Sequence, residues 1–278
     1  MIRETFQTPG HVVLDVRIPE GDIDLETVDG ETTDVELDFS GDPELVRELE
    51  ADARVDLRES ASGFEVRVEV EQRRRFRLDF WRGSDIRLTA RLPHGADVRI
   101  DTGSADTRGR GRFGAVEVRS GSGDVDLAET AAATVKAASG DVTLRRVEGD
   151  ALITTASGDV ELERVGGETV VRTASGDVAL RDPGSGITVQ TASGDQQIDA
   201  VAEGSVTLQS ASGDIHVGIR RGSSLWVDAR ALSGSTTSEL ELEDAPPEGE
   251  GPLVELRATS MSGDIRVVRA PARSELPQ

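Results

Sequence analysis

The chain has 278 residues, 36% of them hydrophobic and 3% aromatic, with no Cys and a formal net charge of −22. That length suits one or two domains with a buried core, which must be built from Val, Leu, Ile and Ala. The acidity repels phosphate and argues against nucleic acid as a partner, and the missing Cys removes disulfides and thiol chemistry.

The opening MIRETFQTPG has no apolar leader, and no run of about 18 apolar residues follows. The chain therefore reads as cytoplasmic with no membrane span, with peripheral association at the cell envelope left open. Lys occurs once, at Lys136, and Arg supplies the rest of the positive charge. A GC-rich genome and a salty habitat both account for that bias.

Residues 1–100 read as an irregular β-region. HVVLDVRIP (11–19), DIDLETV (22–28), DVELDF (34–39), FEVRVEVE (64–71) and DIRLTARLP (85–93) alternate apolar and polar residues, the period of a half-buried strand. ELVRELEAD (44–52) reads as a short helix, with Asp42 as N-cap and Pro43 at its first position. RRRFRLDFWR (73–82) concentrates Arg and aromatics in an otherwise acidic chain. One reading is a hairpin with Phe76, Leu78 and Phe80 facing the core. The other is a contact patch, because Arg with Trp and Phe is typical of interface hot spots. Arg75, Arg77, Trp81 and Arg82 are its candidate partner contacts.

From residue 101 the chain repeats itself. Ser-Gly-Asp recurs with its Asp at Asp124, Asp141, Asp159, Asp177, Asp195 and Asp214, in steps of 17, 18, 18, 18 and 19 residues. A degenerate copy precedes them at 103–106. Two follow, at Ser233-Gly234-Ser235 and Ser262-Gly263-Asp264, separated by an acidic, Pro-rich loop at 239–252. Each repeat holds two alternating strands and two turns, as in VTLRRVEGDALITTASGD (142–159). Aliphatic residues at fixed places should stack into ladders about 4.8 Å apart. That predicts a β-solenoid with about five buried aliphatics per coil, capped at one end by residues 1–100 and running over 101–270 as part of one domain. An antiparallel meander or sandwich is the alternative. The tail, 271–278, reads as disordered.

The repeated triplet reads first as a corner. Gly supplies positive φ, and Ser and Asp can bond the backbone of the turn. The scaffold positions are Gly123 and Asp124, Gly140 and Asp141, Gly158 and Asp159, Gly176 and Asp177, Gly194 and Asp195, Gly213 and Asp214, and Gly263 and Asp264. The preceding Ala (Ala138, Ala156, Ala174, Ala192, Ala211) is expected to be small because the corner is crowded. A stacked line of Asp could also attract calcium, but the calcium-binding nonapeptide solenoid needs GGxGxD twice per coil. No metal or other cofactor is expected. His11, His94 and His216 lie far apart and match no metal-ligand spacing. No nucleophile motif occurs, so no catalytic residue is assigned.

The repeated TASGDV, the opening ETFQTPG (4–10) and the closing TSMSGDIRVV (259–268) together resemble a bacterial family of unknown function. It is the "putative adhesin" family with DUF4097-type β-strand repeats, and the resemblance spans about residues 5–270. It implies an all-β repeat fold of solenoid or roll type. It also implies a binding or sensing role linked to cell-envelope stress, and it supplies no catalytic residues. The reading is thus a non-enzymatic β-solenoid that binds an unknown protein partner or associates with itself. The alternatives are a carbohydrate-binding or carbohydrate-active solenoid, and a calcium-stabilised surface adhesin.

Overall fold

The computed structural model describes residues 1–61, 63–70, 84–240 and 251–270. The chain divides into two compact units, 1–140 and 141–278.

The first unit contains β1 (Ile2–Gln7), β2 (Val12–Val28), β3 (Thr32–Gly41), α1 (Pro43–Asp52), β4 (Ala53–Ser60), β5 (Gly63–Val70), β6 (Ser84–Pro93), β7 (Asp97–Ser120) and β8 (Val125–Ala137). The two strands expected at 11–19 and 22–28 are one, β2, which passes through a corner at Gly21 without losing its ladder. β2 runs parallel to β7 from Val13 opposite Asp97 to Glu26 opposite Arg110, and its other edge takes β5 and then β6. Its apolar set, Val12, Leu14, Val16, Ile18, Ile23 and Leu25, is buried. The pairs β1–β3, β3–β6 and β4–β5 are antiparallel, which is why the repeat is lost here. The Asp42 side chain caps α1, accepting from Glu44 N at 2.9 Å and Leu45 N at 3.3 Å, with Pro43 in its first turn. No residue of α1 is buried, so this helix depends on its cap rather than on core packing.

The second unit is a β-solenoid. Its strands are β9 (Val142–Val147), β10 (Ala151–Ser157), β11 (Val160–Val165), β12 (Glu168–Ser175), β13 (Val178–Asp182), β14 (Gly186–Ser193), β15 (Gln196–Val201), β16 (Gly204–Ser212), β17 (Ile215–Ile219), β18 (Ser224–Ser233), β19 (Thr236–Ser238), β20 (Leu253–Ser262) and β21 (Ile265–Arg269). Identical positions stack: Val142, Val160 and Val178 in one line, Ile153, Val171 and Val189 in another. Every strand pairing described within this unit is parallel, which removes the antiparallel meander. The coil 142–159 buries Val142, Leu144, Val147, Ala151 and Ile153, the expected five aliphatics. Each is worth roughly 1.5–3 kcal/mol before the entropy of ordering is subtracted.

Coils of unequal length do not disturb the corners. The 19-residue step between Asp195 and Asp214 places its extra residue in a bulge of β15, between Ile198 and Val201. In the first unit, the shortfall of the 17-residue step is absorbed where β7 slips against β8, between Gly109 and Arg112.

Spatial order departs from chain order at the far end. β20 lies between β16 and β18, and β21 between β17 and β19. The coil 253–269 is therefore inserted between the coil 204–219 and the coil 224–238. The latter becomes the edge of the described ladder, and its Leu225, Trp226 and Val227 are only half-buried.

This order predicts the effect of truncation. Removing residues 253–270 takes away the strands that β18 and β19 pair with. Hydrogen exchange followed by mass spectrometry should then show lost protection at 224–238 and retained protection at 142–201. Retained protection at 224–238 would mean that this coil docks directly on 204–219.

Candidate functional site

The repeated phrase TASGD is a corner in which each residue has a separate task. Thr155 and Thr173 are buried, and their hydroxyls donate to the carbonyls of Ser157 and Ser175 at 2.9 Å. Gly194 has φ +134°, and a Cβ there would lie 2.1 Å from the carbonyl oxygen of Gly176 on the preceding coil. Gly176 stands in the same way against Gly158, Gly213 against Gly194, Gly263 against Gly213, and Gly234 against Gly263. The close stacking of coils, as much as the positive φ, therefore demands glycine.

The Asp then takes up a backbone donor that the turn leaves without a ladder partner. Asp159 N–H donates to Asp141 Oδ1 at 2.8 Å, Asp177 N–H to Asp159 Oδ1 at 2.8 Å, and Asp195 N–H to Asp177 Oδ1 at 2.8 Å. Asp214 continues onto Asp195 at 2.7 Å and Asp264 onto Asp214 at 2.8 Å. Ser235 closes the line, its backbone N–H and hydroxyl both donating to Asp264 Oδ1, at 2.7 and 3.0 Å. Those two bonds, the backbone one first, hold the Asp264 carboxyl below the usual aspartate range. In the first unit Asp124 N–H donates to Asp106 Oδ1 at 3.1 Å, so the degenerate copy at 103–106 performs the same task.

The Ala of the phrase does not behave as expected. Ala138, Ala156, Ala174, Ala192 and Ala211 are exposed, and the crowding falls on the glycine instead. A further corner is hidden in PEGD (19–22). Gly21 has φ +118°, a Cβ there would meet the Ile86 carbonyl oxygen at 1.9 Å, and Asp22 stacks opposite Asp106. Pro19 and Glu20 replace the small residues that made the other copies legible.

The histidines are dispersed. His11 Nε2 lies 3.1 Å from Asp97 Oδ2, His94 Nδ1 lies 2.8 Å from the Thr27 hydroxyl, and His216 faces outward on β17. Among the described residues, no three His, Cys, Asp or Glu side chains gather as a metal-holding group. Nor is any helix among them long and apolar enough to cross a membrane. The proposed contacts Arg75, Arg77, Trp81 and Arg82 lie outside the described residues, as do 271–278 and most of the acidic loop. An aromatic–cation contact not anticipated from sequence occurs elsewhere: the Arg257 guanidinium sits 5.2 Å above the Trp226 ring. It depends on the inserted coil, which no local pattern announces.

Two outward surfaces differ in chemistry. In the first unit, a shallow depression of about 310 Å³ is lined by Asp15, Arg17, Glu65, Arg67, Arg99, Asp101, Glu117 and Arg119. Outward acids and bases alternate across the strands: Arg67 and Arg99 flank Asp15, and Glu69 and Asp101 flank Arg17. Arg67 bonds Asp15 at 3.1 Å and Glu65 at 2.9 Å. This is the carboxylate cluster a carbohydrate-active solenoid would show, but Arg is interleaved through it and no aromatic lines it.

In the second unit, the outward face of β10, β12, β14, β16 and β20 carries, beyond a first row that holds Glu168, Gly186, Ser205 and Glu255, three more rows. They are Leu152, Val170, Thr188, Thr207 and Arg257; Thr154, Arg172, Gln190, Gln209 and Thr259; and Ala156, Ala174, Ala192, Ala211 and Met261. None of these fifteen is acidic, and an open trough of about 610 Å³ runs over the last two rows.

The Toastrack DUF4097 family model matches residues 80–268. A comparison with curated proteins finds no match. Among solved structures, the chain is similar to a putative adhesin from Parabacteroides distasonis, at 9% identity and a TM-score of 0.44, covering 95% of this chain and 96% of that one. It is also similar to a putative adhesin from Bacteroides fragilis, at 12% identity and a TM-score of 0.40, covering 96% of each. A putative cell adhesion protein from Clostridium sporogenes shows 8% identity and a TM-score of 0.29, over 96% of this chain and 99% of that one.

Two substitutions separate the demands on the glycine. Gly10 has φ +115° with nothing within 4 Å of a Cβ, so Gly10→Ala should cost only the conformational strain, about 1 kcal/mol. Gly194→Ala adds the carbonyl clash and should cost at least about 3 kcal/mol by urea denaturation. Equal costs would show that stacking is not the tighter constraint. For Asp264, the depressed carboxyl contributes fully at neutral pH. The contribution falls as pH drops through the ordinary aspartate range and is gone below the folded value. The gap in urea midpoint between the parent chain and Asp264→Asn should therefore narrow on acidification, and a gap constant with pH would refute the assignment.

Proposed function

This chain belongs to the Toastrack DUF4097 family, and on that footing we propose that it is a non-enzymatic β-solenoid scaffold that binds or assembles proteins, with a partner at the cell envelope. The corner ladder carries this reading. The residues the chain repeats most faithfully, Gly and Asp, are used up between coils: the glycines by carbonyl contact, the carboxylates by backbone N–H groups. A catalytic carboxylate needs a distinct environment, whereas these are nearly identical from coil to coil. What varies from coil to coil faces outward, where a scaffold presents its contacts. The Arg–aromatic stretch at 73–82, with Arg75, Arg77, Trp81 and Arg82, is the proposed contact for the partner.

The test is a crosslinked pull-down from the native host, with the parent chain and a Trp81→Ala/Arg82→Ala variant. Capture by the parent and loss by the variant is the expected result. Capture by both would keep the scaffold reading and move the contact elsewhere. No captured protein, together with a chain that stays monomeric at high concentration, would overturn the scaffold reading.

A further inference from the structure

We propose that the second unit pairs with a second copy of this chain, face to face, through the three acid-free rows on the outer surface of β10, β12, β14, β16 and β20. This rests on the scaffold reading and names one of its contacts. The charge distribution is the first argument. The chain carries 53 acids against 31 Lys and Arg, so two copies repel wherever their carboxylates meet. Fifteen contiguous outward positions on five adjacent strands nevertheless hold no acid, the acids of this face, Glu168 and Glu255, lying in the row at its margin. The outward face of the other stack carries Glu161, Glu163 and Asp199 over comparable coils. The first surface is thus a place where two such chains can touch without opposing like charges.

Side-chain chemistry is the second argument. A two-fold contact sets the same patch against itself, so the patch must supply both donors and acceptors. Gln190, Gln209 and Thr259 each carry both. They already form part of a polar row in which Arg172 Nε donates to Gln190 Oε1 at 3.1 Å and Gln190 Nε2 to Gln209 Oε1 at 3.2 Å. Ala174, Ala192 and Ala211 beside that row are short enough to let two sheets close to about 10 Å.

The third argument is where apolar side chains remain exposed. Met261 and Leu232, exposed by 59% and 76%, sit on the neighbouring strands β20 and β18, in line with the exposed Ala row. β18 also brings Asp228, which is held by Arg230 at 3.0 Å.

The patch is modest. Six strands, β18 included, at about 4.8 Å by five residues at about 3.3 Å cover roughly 475 Å², or about 950 Å² for the pair. That is near the lower bound for specific association, so the dimer is weak and reversible, in the micromolar range or above.

Sedimentation equilibrium of the full chain, from about 5 to 300 µM, tests the proposal. The expected result is a monomer–dimer equilibrium that shifts towards dimer between 0.1 and about 0.5 M NaCl, as the net charge is screened. Ala192→Glu, which places two carboxylates in the centre of the contact, should raise Kd at least tenfold. Ala179→Glu, on the opposite face, should leave Kd unchanged. Met261→Ser should weaken the dimer about threefold, and circular dichroism should show all three variants folded. A monomer throughout, or a dimer indifferent to both Ala192→Glu and Met261→Ser, would overturn the proposal. If the pull-down still captured a partner in that case, the scaffold reading would survive and only this surface would fall.

Discussion

The fold depends on how closely one coil can approach the next at a corner. Parallel strands stack about 4.8 Å apart, and a chain turning sharply at that spacing brings backbone against backbone. A Cβ at Gly176, Gly194 or Gly213 would lie 2.1–2.2 Å from a carbonyl oxygen, so only glycine fits. The turn also takes one N–H out of the ladder. The carboxylate of the coil below receives it, at 2.7–2.8 Å along Asp141, Asp159, Asp177, Asp195 and Asp214. Steric demand and hydrogen-bond accounting thus fall on adjacent residues, which explains why Gly-Asp is the most regular part of the repeat. Irregularity appears where the constraint is weaker: the surplus residue of the long coil sits in a strand bulge at Ile198–Val201, at the end of β15 away from the Gly-Asp corner.

That division explains what could be read from the sequence. The solenoid, its 18-residue coil, its five buried aliphatics and the cap of α1 all follow from local features: a period, an alternation, an Asp before a Pro. The corner's Asp was legible as a turn residue, but its partner was not, because the bond runs to the next coil rather than within the turn. The Ala, two residues before the glycine, suggests crowding by its size, yet it is exposed. Gly21-Asp22 carries no readable signal because Pro19 and Glu20 break the phrase while the backbone keeps its path. The charge alternation across β5, β2 and β7 was also invisible, since Asp15, Arg67 and Arg99 become neighbours only once the register is known.

Register in the two units is held by different means. In the second unit the corners repeat and almost any pair of coils could stack. In the first, the strands are unlike one another, and alternating charges distinguish the correct neighbour from a slipped one. Each surface pair there is worth little alone. A slip by one residue would also turn the buried aliphatic set of β2 towards water, a far larger penalty.

The inserted coil has a consequence for how the molecule is made. During synthesis the segment 224–238 leaves the ribosome before 253–269, yet the place it finally occupies does not exist until the later segment has docked on 204–219. Growth of the solenoid by simple addition therefore stops at the coil 204–219 and waits. Meanwhile the exposed edge of β16 and β17 is offered to whatever strand arrives, and 224–238 has the shorter loop to close. The correct order is reached only if the later segment displaces or outruns the earlier one, so the final third of the ladder is decided by competition between two nearly equivalent strands.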